Sequence, residues 1–194
     1  MPKFIIVHYE EDPKAIMQFA SKVRGLWSDH VDYTRNAIIS ILGGLDDVNA
    51  VAKRLEVNQD EIGEIIAPYF GNADALTLAE ALKGHVSILT DIIRFKKADR
   101  DTAVLETNLD NNAVAIAEFL SNLDPGNWPK ITILEAFRTH IKHTMDEINA
   151  RVKQDWEADF AAYDQVRQSI ETIADTMSSG IVNRFPEKFV KYDL

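Results

Sequence analysis

The sequence contains no cysteine, and this absence removes several classes of chemistry. Disulfides, thiolate-bound metals and cysteine nucleophiles all need a sulfur atom that the chain does not supply. The eight glycines form neither a phosphate-binding loop nor a Gly-x-Ser-x-Gly elbow, so neither a phosphate-loop enzyme nor a serine hydrolase is predicted. Any site must therefore be built from imidazole, carboxylate, hydroxyl, amide or guanidinium groups.

Basic residues are in the minority: 21 Lys and Arg stand against 31 Asp and Glu, for a net charge of −10. Nucleic-acid binding normally draws on a basic stripe or patch of the protein surface. The densest basic segment contains Lys96, Lys97 and Arg100, but Asp99 interrupts it and Asp101 follows it. We therefore expect no nucleic-acid partner.

Long apolar runs are missing as well. Residues 4–7 form an apolar run that is shorter than the roughly 7 to 15 residues of a signal-peptide core. Elsewhere, charged residues interrupt each apolar stretch before it reaches the roughly 20 residues needed to cross a bilayer. We therefore expect no export signal and no membrane partner, and a cytoplasmic location by default.

The few prolines leave long spans without an imposed helix break, at residues 14–67, 69–124 and 130–185. Apolar residues recur there at spacings of three and four, which is typical of helices, whereas the alternation typical of strands is nearly absent. With 194 residues, 46% of them hydrophobic, the chain is long enough to bury one core. We predict a single all-α domain over residues 1–194. Its expected architecture is an up-and-down antiparallel bundle of four to five long helices with short connecting helices.

The expected long helices are bounded by glycine, proline and capping residues. They run from Pro13 or Ser28 to the Gly43 and Gly44 pair, and then over residues 73–97, 101–122, 130–153 and 155–180. Two short helices are expected at residues 45–56 and 59–67, with Asn58 capping the second. Side chains at a four-three spacing in the last long helix are predicted to face inward. They are Trp156, Phe160, Tyr163, Arg167 and Ile170.

A weak internal repeat links residues 23–38 with residues 133–148. The aligned pairs are Val23 with Ile133, Trp27 with Phe137, His30 with His140, Val31 with Ile141, Thr34 with Thr144 and Ile38 with Ile148. Any two amphipathic helices share apolar positions, so only the paired histidines and threonines add information. An ancestral duplication and a coincidence of helical spacing are both open.

Three of the five histidines, His30, His85 and His140, border apolar helix faces. Burial disfavours the charged form of an imidazole and demands a polar partner for it. If the three helices are neighbours, the imidazoles could converge on a divalent metal ion such as zinc or iron. The other interpretation is that each histidine makes one buried hydrogen bond, for instance to Thr34 or Thr144. A di-iron carboxylate centre is not predicted, because the paired Glu-x-x-His pattern is missing.

Two further polar residues have alternative interpretations. Arg167 occupies an apolar position, where it either forms an ion pair with Asp164 or Glu171 or holds an anion beside the histidines. His143 lies four residues before Glu147, and we interpret the two as a solvated surface pair rather than a metal clamp.

Several short segments form a recognisable set. They are LWSDHV at 26–31, NQDEIG at 58–63, PYFG at 68–71, DW at 155–156 and AYD at 162–164. Together they resemble a family of uncharacterised all-helical proteins from bacteria, archaea and plants that share an LWxDH motif, over residues 26–189. The resemblance implies a helical fold and brings no established activity. Members tend to carry a tryptophan at the position of Tyr33 and often a histidine near Arg167, so the resemblance implies that a four-histidine site is altered here.

The sequence thus favours a protein that binds a metal ion or a small anionic ligand in a polar pocket between helices. The expected metal ligands are His30, His85 and His140, and the expected ligand contacts are Thr34, Thr144 and Arg167. A non-catalytic interaction or scaffold protein with structural histidines is the alternative. An enzyme that uses a metal-bound water or a histidine base is a third interpretation. An exposed helix face would also allow a homodimer.

Overall fold

The computed structural model of the protein describes residues 10–191, and this part of the chain is almost entirely helical. The helices are α1 (Pro13–Gly43), α2 (Val48–Glu64), α3 (Ala67–Phe70), α4 (Asn72–Lys97), α5 (Ala103–Leu123), α6 (Lys130–Val152) and α7 (Trp156–Arg184). A 3₁₀ helix (Pro186–Lys188) and an antiparallel pair of short strands, β1 (Glu10–Glu11) and β2 (Val190–Lys191), complete the described residues. The all-α prediction is confirmed. The apolar run at residues 4–7 lies outside the described residues.

The five long helices α1, α4, α5, α6 and α7 pack as an antiparallel bundle. From α4 onwards each helix contacts the next along the chain, and α7 returns to pack on α1. Short connections between consecutive helices impose opposite directions on them. The helices α2 and α3 lie between α1 and α4 in the chain, and α2 packs against both long helices.

Local sequence signals set the ends of α1 and α7. The carboxylate of Asp12 accepts a hydrogen bond from the backbone N–H of Lys14 at 3.0 Å, which caps the start of α1. Gly44 ends this helix with a positive φ of 66°, a conformation that glycine adopts without a steric penalty. The carboxylate of Asp155 caps α7 by accepting from the N–H of Ala158 at 3.1 Å. α1 therefore begins at Pro13 rather than at Ser28.

The expectation of two short helices at 45–56 and 59–67 is wrong. α2 runs without a break over Val48–Glu64, and Asn58 lies inside it rather than at a helix start. The Asn58 side chain is buried and donates to the backbone carbonyl of Leu26 at 3.0 Å. A hydrogen bond to a neighbouring helix satisfies this polar side chain, so it does not need the capping position that its local sequence indicates.

The predicted inward-facing series of α7 fails in its first turns. Trp156 and Phe160 are 53% and 61% exposed. The Trp156 ring lies under the guanidinium of Arg151, and the Phe160 ring lies under that of Arg35, with distances of 5.4 and 5.0 Å to the ring centroids. At this end of the bundle the aromatic rings cover charged groups instead of entering the apolar core.

Within residues 10–191, no helix combines the length and the apolar character needed to cross a lipid bilayer. Two groups of buried apolar side chains fill the bundle instead. The larger contains Trp27, Trp128 and Phe137, and the smaller contains Ile38 and Ile92. The indole N–H of Trp128 donates to the backbone carbonyl of Thr176 at 3.0 Å, which anchors the turn before α6 on α7.

Close packing at Gly180 predicts a difference between two helical glycines. A Cβ atom at Gly180 would overlap the indole of Trp128, whereas a Cβ at Gly25 on α1 would meet no atom within 4 Å. We expect Gly180→Ala to lower the free energy of unfolding by about 1–3 kcal/mol because the core is overpacked. Gly25→Ala should raise it by up to about 1 kcal/mol through helix propensity. Urea unfolding of both variants measures this, and equal effects would contradict the packing at Trp128.

Candidate functional site

A layer of polar side chains crosses the bundle between its two apolar groups. On α1 the larger apolar group ends at Val31 and the smaller begins at Ala37, and on α4 Leu82 and Val86 belong to different groups. The buried polar side chains of this layer are His30, Thr34, Arg35, Gln59, His85, His140, Thr144, Glu147 and Asp159. We call this set the polar layer. It contains the three histidines and two threonines that the sequence predicts as metal ligands and ligand contacts.

The structure brings His30 and His140 together. Each is only 2% exposed, and their ring centroids lie 5.6 Å apart. His85 is equally buried and packs edge-on against Phe137 at 6.3 Å, while Phe137 packs edge-on against Trp27 at 6.2 Å. The three histidines therefore belong to one buried region, with His30 and His140 in direct contact.

α1 and α6 run in the same direction through this region. The contacts pair Trp27 with Phe137, His30 with His140, and further along Arg35 with Glu147. The partner number rises with the residue number, as required for parallel helices. The first two contacts also join aligned positions of the segments 23–38 and 133–148. Equivalent residues of the two segments therefore contact each other.

Five buried polar atoms have no hydrogen-bond partner among the described residues. They are Nε1 of Trp27, Nδ1 of His30, Oγ1 of Thr34, Oε1 of Gln59 and Nε2 of His140. Three helices, α1, α2 and α6, contribute them. Leaving a buried polar atom unpaired costs about 1–3 kcal/mol, and folded proteins pair most of these atoms with protein, water or ligand. Their concentration on these three helices marks this part of the polar layer as a candidate ligand site.

Hydrogen bonds from neighbouring side chains fix the tautomer of His85. The Asn112 amide donates to the backbone carbonyl of Ala81 at 3.0 Å, so its oxygen is the atom that faces Nδ1 of His85 at 3.2 Å. Nδ1 must then carry the proton, and Nε2 keeps a free lone pair.

A neighbouring hydroxyl group also orients the His140 imidazole. The Ser169 hydroxyl donates to the backbone carbonyl of Val166 at 2.8 Å, so it can only accept from Nδ1 of His140, at a long distance of 3.5 Å. This contact favours the proton at Nδ1 and leaves the unpartnered Nε2 as an acceptor. Thr144 makes no contact of this kind, because its hydroxyl donates to the backbone carbonyl of His140 at 2.9 Å.

Burial keeps all three imidazoles neutral at physiological pH. Desolvation lowers the pKa of His30 to about 3, with a smaller contribution from the nearby His85. The Gln59 side chain opposes this shift because it approaches the imidazole, although no atom pair between the two meets hydrogen-bond geometry. Desolvation also lowers the pKa of His85 to about 4. The pKa of His140 is well below its ordinary value because of burial and then of the neighbouring histidines. Each neutral imidazole therefore carries one proton and keeps one unprotonated ring nitrogen.

In residues 10–191, no three His, Asp or Glu side chains are arranged so that together they could hold a metal ion. His30 and His140 are paired, but His85 does not complete a three-imidazole set with them as the side chains lie. The site is thus a pair of neutral imidazoles surrounded by indole, hydroxyl and carboxamide groups.

Arg167 lies outside this buried region. Its side chain is 46% exposed and donates from Nη1 to Asp32 on α1 at 2.9 Å. The Tyr163 hydroxyl donates to the same carboxylate oxygen at 2.7 Å. Because α1 packs directly on α7, the carboxylate partner comes from the neighbouring helix rather than from Asp164 or Glu171 on the same one.

The charged half of the polar layer is not among the site residues predicted from the sequence. The Arg35 guanidinium donates to Glu147 at 2.6 Å and to both oxygens of Asp159 at 3.0 and 3.2 Å. Arg151 donates to Asp159 at 2.6 Å. The ring of Tyr163 covers Arg35 from 4.3 Å. This group of two guanidinium groups and two carboxylates, which we call the ion cluster, lies next to the histidines along α1 and α6.

The interpretation of Glu147 as the surface partner of His143 is wrong. Glu147 is only 1% exposed and bonds to Arg35, whereas Nδ1 of His143 lies 3.2 Å from the backbone carbonyl of Gln165. One sequence signal could have found the buried glutamate. His140, Thr144, Glu147 and Arg151 follow one another at steps of four, three and four, so they share a single face of α6.

Glu147 titrates within the physiological range. Burial raises its pKa to about 7, while the hydrogen bond and positive charge of Arg35 oppose this shift. Asp159 is fully buried and accepts from two arginines. Protonation of Glu147 near neutral pH therefore changes the net charge of the ion cluster.

The polar layer unites paired neutral imidazoles with a buried ion cluster inside one helical bundle. No protein-family model, curated protein or solved structure matches this chain. The geometry and chemistry of the polar layer therefore carry the functional conclusion.

The buried histidines predict that acid destabilises the fold. An unfolded imidazole takes up a proton near pH 6.5, whereas the folded His30 and His85 resist protonation until about pH 4 or below. The pKa of the folded His140 is also well below 6.5. As the pH drops below 6.5, each buried imidazole should thus lower the free energy of unfolding by about 1.4 kcal/mol per pH unit. Glu147 acts in the opposite direction between its unfolded pKa and about 7, but one carboxyl group opposes three imidazoles.

Urea unfolding between pH 7 and pH 5 measures this dependence. The His85→Gln variant should show a slope that is smaller by the contribution of one imidazole. A wild-type slope of zero would contradict the buried neutral histidines.

The ion cluster predicts a large effect of removing its central cation. Arg35→Met leaves Glu147 and Asp159 with Arg151 alone, and uncompensated buried charge typically costs about 3–5 kcal/mol. Arg24→Met, which breaks an exposed pair with Asp175, is the matched control and should leave stability near that of the wild type. Free energies of unfolding in urea at pH 7 test the difference, and equal values for the two variants would contradict the buried cluster.

Proposed function

We propose that this protein binds a small ligand at the paired imidazoles of His30 and His140, and that a divalent transition metal ion such as Zn²⁺ or Fe²⁺ is the occupant. The observation that carries this proposal is the pair of buried ring nitrogens, Nδ1 of His30 and Nε2 of His140, that have no hydrogen-bond partner among residues 10–191. A bound ligand would remove the free-energy cost of leaving both atoms unpaired.

The protonation state of the site supports a metal cation. A metal binds the neutral imidazole, and the low pKa of His30 keeps its ring free of a second proton at pH 7. In His140 the contact with Ser169 favours the proton at Nδ1, in the way that outer partners commonly orient metal-binding histidines. The unpartnered Thr34 hydroxyl is an oxygen donor suited to a further coordination position.

His85 is the third ligand in this proposal. Asn112 holds its proton at Nδ1, so Nε2 is the nitrogen free to bind. Since the three histidines do not form a metal-holding set as their side chains lie, metal binding would require a side-chain rotation within the polar layer.

A small anion at Arg167 is the second candidate ligand. Arg167 lines a surface cleft of about 210 Å³ together with Arg24 and Ser28. Both guanidinium groups already hold a carboxylate, Asp32 for Arg167 and Asp175 for Arg24, so an anion would have to displace these partners. We therefore rank this site below the buried imidazoles.

The metal proposal predicts a histidine-dependent metal content. Tag-free protein purified without chelator should contain one metal ion per chain by elemental analysis, or take up one Zn²⁺ or Fe²⁺ on incubation. The His30→Ala/His140→Ala variant should lose it. His143→Ala is the matched control on the same helix as His140, because His143 contacts a backbone carbonyl of α7 rather than the polar layer.

Cobalt substitution adds a spectroscopic test. Co²⁺ bound by imidazole nitrogens in a four-coordinate site has visible absorption bands that are stronger than those of the hydrated ion. If wild-type protein stays metal-free after incubation, and Zn²⁺, Fe²⁺ and Co²⁺ leave its melting temperature unchanged, the metal proposal is wrong. The histidines would then be structural, as in a scaffold bundle. The anion site would remain as the other candidate, and it predicts phosphate binding that is lost when Arg167 is replaced.

A further inference from the structure

A second cleft opens at the end of the bundle, away from the histidines. It lies where α1, α4 and α6 end and α7 begins, and its volume is about 400 Å³. This size falls within the range of roughly 300 to 1,000 Å³ that is typical of small-molecule sites. We call it the end cleft.

Part of the lining of the end cleft is apolar and exposed to solvent. Leu45, Val152 and Trp156 line it and are 48%, 41% and 53% exposed. The other two tryptophans of the chain, Trp27 and Trp128, are buried. Large apolar side chains that share one cleft mark a binding surface more strongly than scattered exposed residues do.

Another part of the lining carries cations. Of the described residues, those that line the cleft include Lys96, Lys97 and Arg151 but no carboxylate, although the whole chain carries a net charge of −10. Lys97 forms no ion pair within the described part of the chain, and its ammonium donates to the last-turn carbonyl of Ile41 at 2.6 Å. Lys96 lies 3.5 Å from Glu106.

The ion cluster adjoins the cations that line the end cleft. Arg151 links the two, since it lines the cleft and donates to the buried Asp159 at 2.6 Å. The Arg151 guanidinium also lies 5.4 Å from the centroid of the Trp156 ring. A planar group placed on the open side of this ring would pack against carbon atoms and lie close to positive charge.

We propose that the end cleft binds a small aromatic anion, with its ring against Trp156 and Leu45 and its acidic group at Lys97. The exposed apolar side chains and the cations that line the same cleft match the two parts of such a molecule. The acidic group is a carboxylate, sulfonate or phosphate ester, all of which pair with an ammonium group. This site is separate from the histidine pair and does not depend on the metal proposal.

Two dyes that share one aromatic body test the proposal. They are 8-anilino-1-naphthalenesulfonate, which is anionic, and N-phenyl-1-naphthylamine, which lacks the sulfonate. Fluorescence titration of the whole chain should give a dissociation constant at least tenfold lower for the anion. Lys97→Gln should remove most of this preference, and Lys97→Arg should restore it.

The same titrations test whether the ring of Trp156 contributes to binding. Trp156→Ala should weaken both dyes at least fivefold, because it removes the ring on which they pack. Leu76→Ala is the matched control, since Leu76 is 64% exposed but lines a different cleft, and it should change neither constant. Melting curves of every variant show whether the fold is intact.

Three results would overturn the proposal. The first is equal affinity for the two dyes, and the second is binding of the anion that survives both Lys97→Gln and Trp156→Ala. The third is a concentration-dependent dimer, seen by sedimentation, that Trp156→Ala converts to a monomer. A second copy of the chain would then be the occupant of the cleft.

Discussion

Burial of polar groups between two apolar layers is the constraint on which this bundle depends. Such groups are tolerated only when they are paired or neutral, because a low-dielectric interior stabilises neither an isolated charge nor an unpaired donor. The polar layer meets this requirement in two ways. In its charged half, Arg35 is paired with Glu147 and Asp159. In its histidine half, the imidazoles stay neutral because burial lowers their pKa values.

The two halves differ in how completely their atoms are satisfied. In the ion cluster, Arg35 and Arg151 both reach Asp159, and aromatic rings cover the Arg35 guanidinium. In the histidine half, four polar atoms stay without a partner among residues 10–191, and so does Nε1 of Trp27, whose ring packs against His30. A fully bonded cluster rigidifies and orients the helices, whereas an under-bonded one is suited to a ligand. This contrast places the candidate site at the histidines rather than at the more highly charged ion cluster.

Most of the fold could be predicted because helical periodicity and end signals are local properties. Gly44 and Asp155 end and begin helices as their residue types indicate. The errors arose where a distant partner overrode a local signal. Asn58 resembles a cap but bonds to α1, and Glu147 resembles a surface residue but pairs with Arg35, which is 112 residues away in the chain.

By itself, the sequence determined an all-α chain, the helix faces that carry His30, His85 and His140, and the lack of thiol chemistry. Only the tertiary structure decided that α1 and α6 run in parallel with His30 against His140, that Arg167 stays at the surface, and that the end cleft exists. The physical reason is that spacing along a helix defines which side chains share a face. Which faces meet depends on packing between helices far apart in the chain, and that packing also sets burial, pKa and hydrogen-bond partners.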